Sequence, residues 1–330
     1  MGSVISRIEE IHQPVGGYLP MRSFSIKQLD DSQTLNLSEN ISPNLIGMAV
    51  DYLTRFTMGA SADQAFSISL RGARIIGETR RAKYLLSNIH GLDPTSILSA
   101  CQLVGYDVCY RAGRSEYKPT DQISPDEKTI ENIRIMVQRG ITFWSFYGPI
   151  VKDSFTFDGA YTFLVSNGDG DYLTADTIWD FKTSKKGPKS KHSLQLLMYY
   201  IMGLRSINPE FQSVKNLGIF NPRLNKVYIC PISSVSNEVI QLVSHDIIGY
   251  DWTDEEIGIY QSLRKKAEKD QFDENDYVFH SKYGYGTITT VQTGSKESFA
   301  TVIFKSGQTW FINTCFLDHA MQTSTGNIII

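Results

Sequence analysis

The sequence predicts an α/β domain followed by a small all-β unit. Helical signals fill residues 42–139, and strand patterns with two further helices follow from residue 141. Short strands between glycine turns then follow residue 273. With 330 residues, the chain is long enough to bury one large core or two unequal ones.

The first half of the chain is predicted to be helical after a lead-in over residues 1–40. Three helix starts carry capping signatures, at Ser42-Pro43, Asp93-Pro94-Thr95 and Ser124-Pro125-Asp126-Glu127. Gly105 and Gly140 are predicted to end the second and third of these helices. Residues 61–90 are predicted as further helical or mixed structure.

Aromatic and β-branched residues predict strands in the second half. The predicted strands are 141–147, 154–166, 172–182, 217–222 and 226–232. Asn167-Gly168-Asp169-Gly170 predicts a hairpin turn between the second and third strands. One helix is predicted over residues 193–204, and a charged helix over residues 254–269 leads into the all-β unit.

Acids and a lysine lie on two predicted strands in an order that metal-dependent phosphodiester cleavage requires. Asp158 ends one strand, and Asp180 and Lys182 share one face of the next. Carboxylates suit Mg²⁺, which activates water and stabilises the oxyanions of an in-line displacement. The lysine would position the attacking water or stabilise charge on the phosphate. Gln195 and Tyr199 share a helix face and would brace the lysine and the substrate backbone.

Asp180-Phe-Lys182-Thr followed by Gln195-x-x-x-Tyr199 resembles the RecB-like branch of the PD-(D/E)XK nuclease superfamily. That branch includes phage lambda exonuclease and the CRISPR adaptation nucleases. The resemblance implies a restriction-endonuclease-like core, with a mixed central sheet flanked by helices, and dependence on Mg²⁺ or Mn²⁺. It also implies that Asp158 and Asp180 are metal ligands, that Lys182 is the catalytic lysine, and that Gln195 and Tyr199 complete the third motif.

The same branch carries an upstream helix with Gly-x-x-x-His, whose histidine reaches the metal. Gly47-Met-Ala-Val-Asp51 matches it here, so the resemblance implies Asp51 as a further ligand, and a carboxylate suits Mg²⁺ better than imidazole does. The alternative is that Asp51 is only a polar position on an amphipathic helix. Glu78 is a weaker candidate for the same role. The cysteines of the iron–sulfur subgroup are lacking, so no cluster is expected.

A basic loop follows the lysine of the predicted site. Lysines occur without an intervening acid at Lys185, Lys186, Lys189 and Lys191. We expect this loop to contact nucleic-acid phosphates, the alternative being a solvated lysine loop. Arg223, after a predicted strand, is a further candidate for backbone contact. The net charge of −3 means that nucleic-acid binding would depend on such local patches.

The segment Val278-Phe-His280-Ser-Lys-Tyr-Gly284-Tyr-Gly286 resembles the Tudor-like barrel that ends UvrD/PcrA-type helicases. The resemblance implies an SH3/Tudor-like barrel that docks a partner. We expect a protein partner, and the alternative is a stabilising appendage. The chain is thus divided into a lead-in (1–40), a nuclease domain (41–253), a helical linker (254–272) and a barrel (273–330).

Together these patterns predict a cytoplasmic, Mg²⁺-dependent DNA nuclease within a larger defence, repair or mobile-element system. No membrane segment, NTP-binding loop or nucleotide cofactor is expected. The four cysteines are widely separated, as in a reduced intracellular protein. An RNA-cleaving nuclease of the same fold and a non-catalytic nucleic-acid-binding adaptor remain as alternatives, and the choice between endonuclease and exonuclease stays open.

Overall fold

The N-terminal segment is built into the main fold of the protein. The computed structural model describes residues 2–267, 269, 271–294, 297–323 and 328–329. The segment forms β1 (Gly2–Ser3), α1 (Val4–Glu10) and β2 (Ser25–Gln28). Arg7 on α1 is buried and donates to the carbonyls of Asp246 and Ile247, far along the chain. Residues 1–40 therefore contribute a helix and an edge strand to the domain that they were expected to precede.

A layer of helices follows. Its members are α2 (Pro43–Thr57), α3 (Ala62–Ala65), α4 (Ser67–Ile75), α5 (Thr79–Leu86), α6 (Pro94–Val104), α7 (Asp107–Arg111) and α8 (Glu127–Tyr147). The side chains of Ser42, Asp93 and Asp126 accept hydrogen bonds from the first turns of α2, α6 and α8, which confirms the three predicted helix starts. The apolar faces of these helices pack into a core of their own.

Helix α8 continues through residues 141–147, so the strand predicted there is wrong. Gly140 does not end the helix. A Cβ at this position would lie 3.0 Å from the Thr54 side chain, so the glycine lets α2 and α8 pack closely. The aromatic run belongs to a helix face: Phe143 and Trp144 are buried against the central sheet. A short apolar run does not by itself distinguish a buried helix face from a strand.

The central sheet has six strands and is mixed, as predicted. The strands after α8 are β3 (Lys152–Thr156), β4 (Val165–Asn167), β5 (Asp169–Leu173), β6 (Thr177–Phe181), β7 (Asn216–Asn221) and β8 (Lys226–Pro231). The order in the sheet is β2-β8-β7-β6-β5-β3, while β4 pairs with β1. Within the six-stranded sheet, β6 and β7 are parallel neighbours and every other neighbouring pair is antiparallel. They are joined by α9 (Ser190–Arg205), because a parallel connection needs a crossover.

The single strand predicted over residues 172–182 is in fact two antiparallel strands. β5 and β6 are separated by a turn in which the Thr174 N–H donates to the Thr177 carbonyl at 3.0 Å. The segment Thr174-Ala175-Asp176 carries none of the glycine or proline signals that usually mark a turn. The prediction therefore merged two strands at this point, and this decides which acid lies beside Asp180.

Helices cover both faces of the sheet. α8 packs on one face. α9 and α1 pack on the other face, together with buried apolar residues from the segment after β8, such as Val243 and Ile247. Two further helices are α10 (Asn237–Leu242) and α11 (Asp254–Ala267). Of the helices that the structure describes, none has both the length and the apolar character needed to cross a bilayer.

The C-terminal unit is a separate antiparallel sheet of five strands. They are β9 (Tyr277–His280), β10 (Gly284–Thr293), β11 (Ser298–Phe304), β12 (Thr309–Asn313) and β13 (Asp318–His319). Val278, Ile288 and Val302 are central to its own small core. β14 (Met321–Gln322) and β15 (Ile328–Ile329) pair with each other beyond it. The all-β character of the unit is confirmed, the barrel closure stays a prediction, and residues 295–296, 324–327 and 330 of the unit lie outside the described residues.

Candidate active site

The acid beside Asp180 on the neighbouring strand is Asp171. β5 and β6 pair antiparallel with Tyr172 opposite Trp179, and the same register brings Asp171 opposite Asp180. Residues directly opposite each other in such a pair project from the same face of the sheet. In addition, Asp171 Oδ2 accepts the Phe181 N–H at 2.8 Å, which fixes this carboxyl against β6.

Lys182 completes a compact charged group with these two acids. Its Nζ lies 2.8 Å from Asp180 Oδ1. The other oxygen, Asp180 Oδ2, is buried and has no hydrogen-bond partner among the described residues. A buried carboxylate oxygen without a donor is unfavourable unless something else neutralises it. The predicted neighbourhood of Asp180 and Lys182 is therefore present, with one acceptor still free.

Burial makes these carboxyls harder to ionise. It raises the pKa of Asp171 to about 7, an effect to which the negative charges of Asp180 and Asp51 add. It also raises the pKa of Asp180, although the Lys182 ammonium acts in the opposite direction. The protein's own cations thus leave an excess of negative charge at this point, which a bound cation would neutralise.

Asp51 reaches the same site from α2. Its carboxylate receives the Arg55 Nε–H at 3.1 Å and the hydroxyl of Tyr172. Asp51 and Asp171 line one cleft of about 170 Å³, together with Arg111 and Thr183. The resemblance led us to expect Asp51 near the metal, and the structure brings it to the edge of the Asp171–Asp180 pair.

Glycine lets α2 approach the site this closely. A Cβ on Gly47 would lie 2.8 Å from Thr183 Oγ1, so a larger residue would push α2 away from the end of β6. Glu78, the weaker candidate, does not line the cleft. It accepts hydrogen bonds from the hydroxyls of Tyr106 and Tyr117 instead, at 2.6 and 3.1 Å.

The structure does not bring Asp158 to Asp180, contrary to the sequence-based expectation. Asp158 follows β3, which is separated from β6 by β5, a lateral distance of about 10 Å. Because Thr156 pairs with Asp169, Asp158 also lies about four residues, or ~13 Å, beyond the row of Asp171 and Asp180. Its side chain is exposed and accepts the Thr156 hydroxyl at 3.0 Å.

Gln195 and Tyr199 are buried on one face of α9, as their spacing predicts. The Gln195 amide donates to the Tyr199 oxygen at 2.8 Å, and the Tyr199 hydroxyl donates to the Asp169 carbonyl at 2.6 Å. Burial and the nearby charge of Asp180 raise the pKa of Tyr199 far above its usual value, so the hydroxyl stays a donor. The pair therefore holds the start of β5, whereas we expected it to brace the lysine.

The donor set fits a hard divalent cation. Within the described part of the chain, no group of three or more His, Cys, Asp or Glu side chains is already arranged around one point. Mg²⁺ does not need such a group, because it usually takes one or two carboxylates and completes its octahedron with water and phosphate oxygens. Asp171 and Asp180, with the free Oδ2 of the latter, meet that requirement.

The predicted phosphate-contacting residues separate into two groups. The lysines are exposed, but they do not all lie in one loop: Lys185 and Lys186 follow β6, Lys189 caps α9, and Lys191 lies in the first turn of that helix. Arg223, in contrast, is a buried structural residue: its guanidinium donates to Glu39 and to the Thr183 carbonyl, each at 2.7 Å. A guanidinium bound in this way has an internal partner and holds the chain just after Lys182, so the structure does not present it to a nucleic acid.

His192 lies one turn before Gln195 on the same face of α9. Burial and the positive charges of Lys182, Lys191 and Lys189 lower the pKa of His192 to about 4, so its imidazole is neutral near pH 7. Nδ1 accepts the Lys189 N–H at 3.0 Å, which leaves the ring proton on Nε2. The ring is thus a neutral donor in the first turn of α9.

Asp171 and Arg111 were not found from the sequence. The signal for Asp171 was its position within Asp169-Gly-Asp171-Tyr, nine residues before Asp180 in a segment that had been assigned to a turn and a single strand. Arg111 carries no local signal, since only the packing of α7 brings it to the cleft. Comparison of the chain with protein-family models, curated proteins and solved structures gave no match.

Proposed function

We propose that the protein is a Mg²⁺- or Mn²⁺-dependent nuclease that hydrolyses phosphodiester bonds in DNA. The observation that carries this proposal is the register of β5 and β6, which sets Asp171 opposite Asp180, together with the Lys182 amine bonded to Asp180. It is the arrangement that the resemblance to PD-(D/E)XK nucleases implies, with Asp171 in the position first given to Asp158.

The residues of the chain have distinct roles in this proposal. Asp171 and Asp180 would hold the metal ion, which supplies a Lewis acid and lowers the pKa of its bound water. Lys182 orients the attacking water and offsets charge on the phosphate. Tyr199 keeps β5 in place through the Asp169 carbonyl, so that Asp171 stays opposite Asp180.

Segments around the site would bind the nucleic-acid backbone and a protein partner. The exposed lysines after β6 would contact backbone phosphates and make binding sensitive to salt. The C-terminal sheet would dock a protein partner. The nuclease would then work within a larger defence, repair or mobile-element system. We also propose a cytoplasmic location, in keeping with the cysteine pattern.

The proposal is tested by digesting linear DNA, circular DNA and RNA with Mg²⁺, with Mn²⁺ or with EDTA. We expect the wild type to cleave DNA only with metal, and Lys182→Ala to lower the rate by a factor of about 10³, because charge stabilisation in the transition state is lost. The matched control is Lys215→Ala, which removes an exposed lysine just before β7, at the end of the sheet away from Lys182, and should change the rate by less than about twofold.

Two results would overturn the proposal. One is the absence of metal-dependent cleavage by the wild type on every substrate, which would favour the adaptor. The other is wild-type cleavage by the Lys182→Ala variant. Cleavage of RNA but not of DNA would support the proposed metal site and identify RNA as the substrate. Products from circular DNA would identify an endonuclease.

A further inference from the structure

Arg111 brings a guanidinium to the cleft from the end of α7. It lines the cleft with Asp51 and Asp171, and its side chain is 47% exposed. Arg55, another arginine near these acids, is different. Its side chain is only 6% exposed and is paired with Asp51 and Asp153 at 3.1 Å, so it ties α2 to β3. Arg111 is the more accessible of the two cations.

The acidic neighbours of Arg111 do not saturate it. Its Nε lies 3.9 Å from Asp107 Oδ2, and one terminal nitrogen lies 3.7 Å from Asp169 Oδ2. A charge-assisted hydrogen bond between nitrogen and oxygen is about 2.7–2.9 Å long, so both contacts are loose. Asp107 already accepts the hydroxyls of Tyr52, at 2.6 Å, and Ser69. The Arg111 guanidinium also interacts with the Tyr52 hydroxyl, which holds it near the cleft while its contacts with the two acids stay loose.

Close packing holds the base of Arg111 in place. Gly72 on α4 touches the residue before α7: an added Cβ would lie 2.0 Å from the Tyr106 carbonyl oxygen. Asp107, at the start of α7, is buried and bonded to α2 through Tyr52. A five-residue helix anchored in this way presents Arg111 from a fixed position, which is what precise recognition of a ligand requires.

Arg111 and the exposed lysines lie at the same edge of the central sheet. Arg111 lies beside Asp169 at the start of β5, and the exposed lysines follow the end of β6. Since β5 and β6 are antiparallel, these two points lie at the same edge of the sheet. A nucleic-acid strand whose scissile phosphate lay at Asp171 and Asp180 would thus have a cationic contact on the Arg111 side as well as on the lysine side.

We propose that Arg111 binds a backbone phosphodiester adjacent to the one that is cleaved. The inference rests on the proposed nuclease function and adds a substrate-positioning residue to it. A planar guanidinium can donate two parallel hydrogen bonds to phosphate oxygens, which a lysine ammonium cannot do with the same geometry. When substrate binds, the phosphate oxygens would replace Asp107 and Asp169 as partners of the Arg111 guanidinium.

The test measures DNA binding in the Lys182→Ala background with Mg²⁺, where the substrate stays intact. A short fluorescein-labelled DNA duplex and its single strand are titrated with Lys182→Ala, with Lys182→Ala/Arg111→Gln and with Lys182→Ala/Arg111→Lys at several salt concentrations. The matched control adds Arg205→Gln, because Arg205 is 46% exposed and pairs with Asp251 at 2.9 Å at the far end of α9.

We expect Arg111→Gln to weaken binding about tenfold and to reduce the slope of log K against log salt by about one counterion. Arg111→Lys should keep the slope and still lose affinity, because the fork geometry is lost. An unchanged affinity and slope in Arg111→Gln, or an equal change in the Arg205 control, overturns this role while leaving cleavage by the wild type unaffected. Lack of cleavage by the wild type would instead remove the proposed function itself.

Discussion

Asp171→Asn is expected to lower the cleavage rate by a factor of about 10³ or more, because the substitution removes the charge that would hold the proposed metal ion and keeps the shape of the side chain. Asp158→Asn, in contrast, should leave the rate within about twofold of the wild type, as is usual for an exposed position away from a site. The two variants separate the structural assignment from the one that the sequence alone suggests.

The measurement is initial-rate cleavage of linear DNA with saturating Mg²⁺ for the wild type and both variants. Each variant is first shown to unfold at a temperature no lower than that of the wild type. A large loss in Asp158→Asn together with near-normal activity in Asp171→Asn would contradict the pairing of β5 with β6 described above.

Asp171→Asn should also stabilise the folded protein when no metal is present. The pKa of Asp171 is raised from 3.8 to about 7 in the folded state. Between these values the folded protein binds more protons than the unfolded chain does, so the metal-free protein loses stability as pH rises from about 4 to 7. At pH 8 nearly the whole penalty is present, on the order of a few kcal/mol. Asparagine cannot ionise and avoids this penalty.

Thermal unfolding in EDTA at pH 5 and pH 8 measures this effect. We expect Asp171→Asn to melt several degrees above the wild type at pH 8 and nearer to it at pH 5. Added Mg²⁺ should raise the melting temperature of the wild type and have little effect on the variant, because binding stabilises only the form that binds. A variant that is less stable than the wild type at pH 8 would show that Asp171 is not under electrostatic strain.

Local signals predicted the helices well and the strand pairing poorly. The N-caps at Asp93 and Asp126 satisfy backbone donors within one turn, so they can be found without knowledge of the fold. Strand β2 (Ser25–Gln28) was missed because all four of its side chains are exposed, and an edge strand held by backbone pairing with β8 leaves no apolar alternation. Gly140 was misassigned for a related reason, since only its contact with Thr54 explains a glycine inside α8.

The candidate site follows the same division. The proximity of Asp180 to Lys182 and that of Gln195 to Tyr199 could be predicted, because each pair shares one strand end or one helix face, where spacing alone decides proximity. Asp171 could not, because its position depends on a turn without glycine or proline and on the register of two strands. Arg223 was misleading because a buried partner, Glu39, neutralises it from far along the chain.

The most direct test of the central claim is a crystal of the wild-type protein soaked in Mn²⁺ and measured for anomalous scattering. The account predicts one strong anomalous peak between the carboxylates of Asp171 and Asp180, at about 2.0–2.3 Å from an oxygen of each. Lys182 should stay bonded to Asp180 beside it. A peak at Asp158, or side chains of Asp171 and Asp180 turned apart with no peak between them, would contradict the proposed metal site.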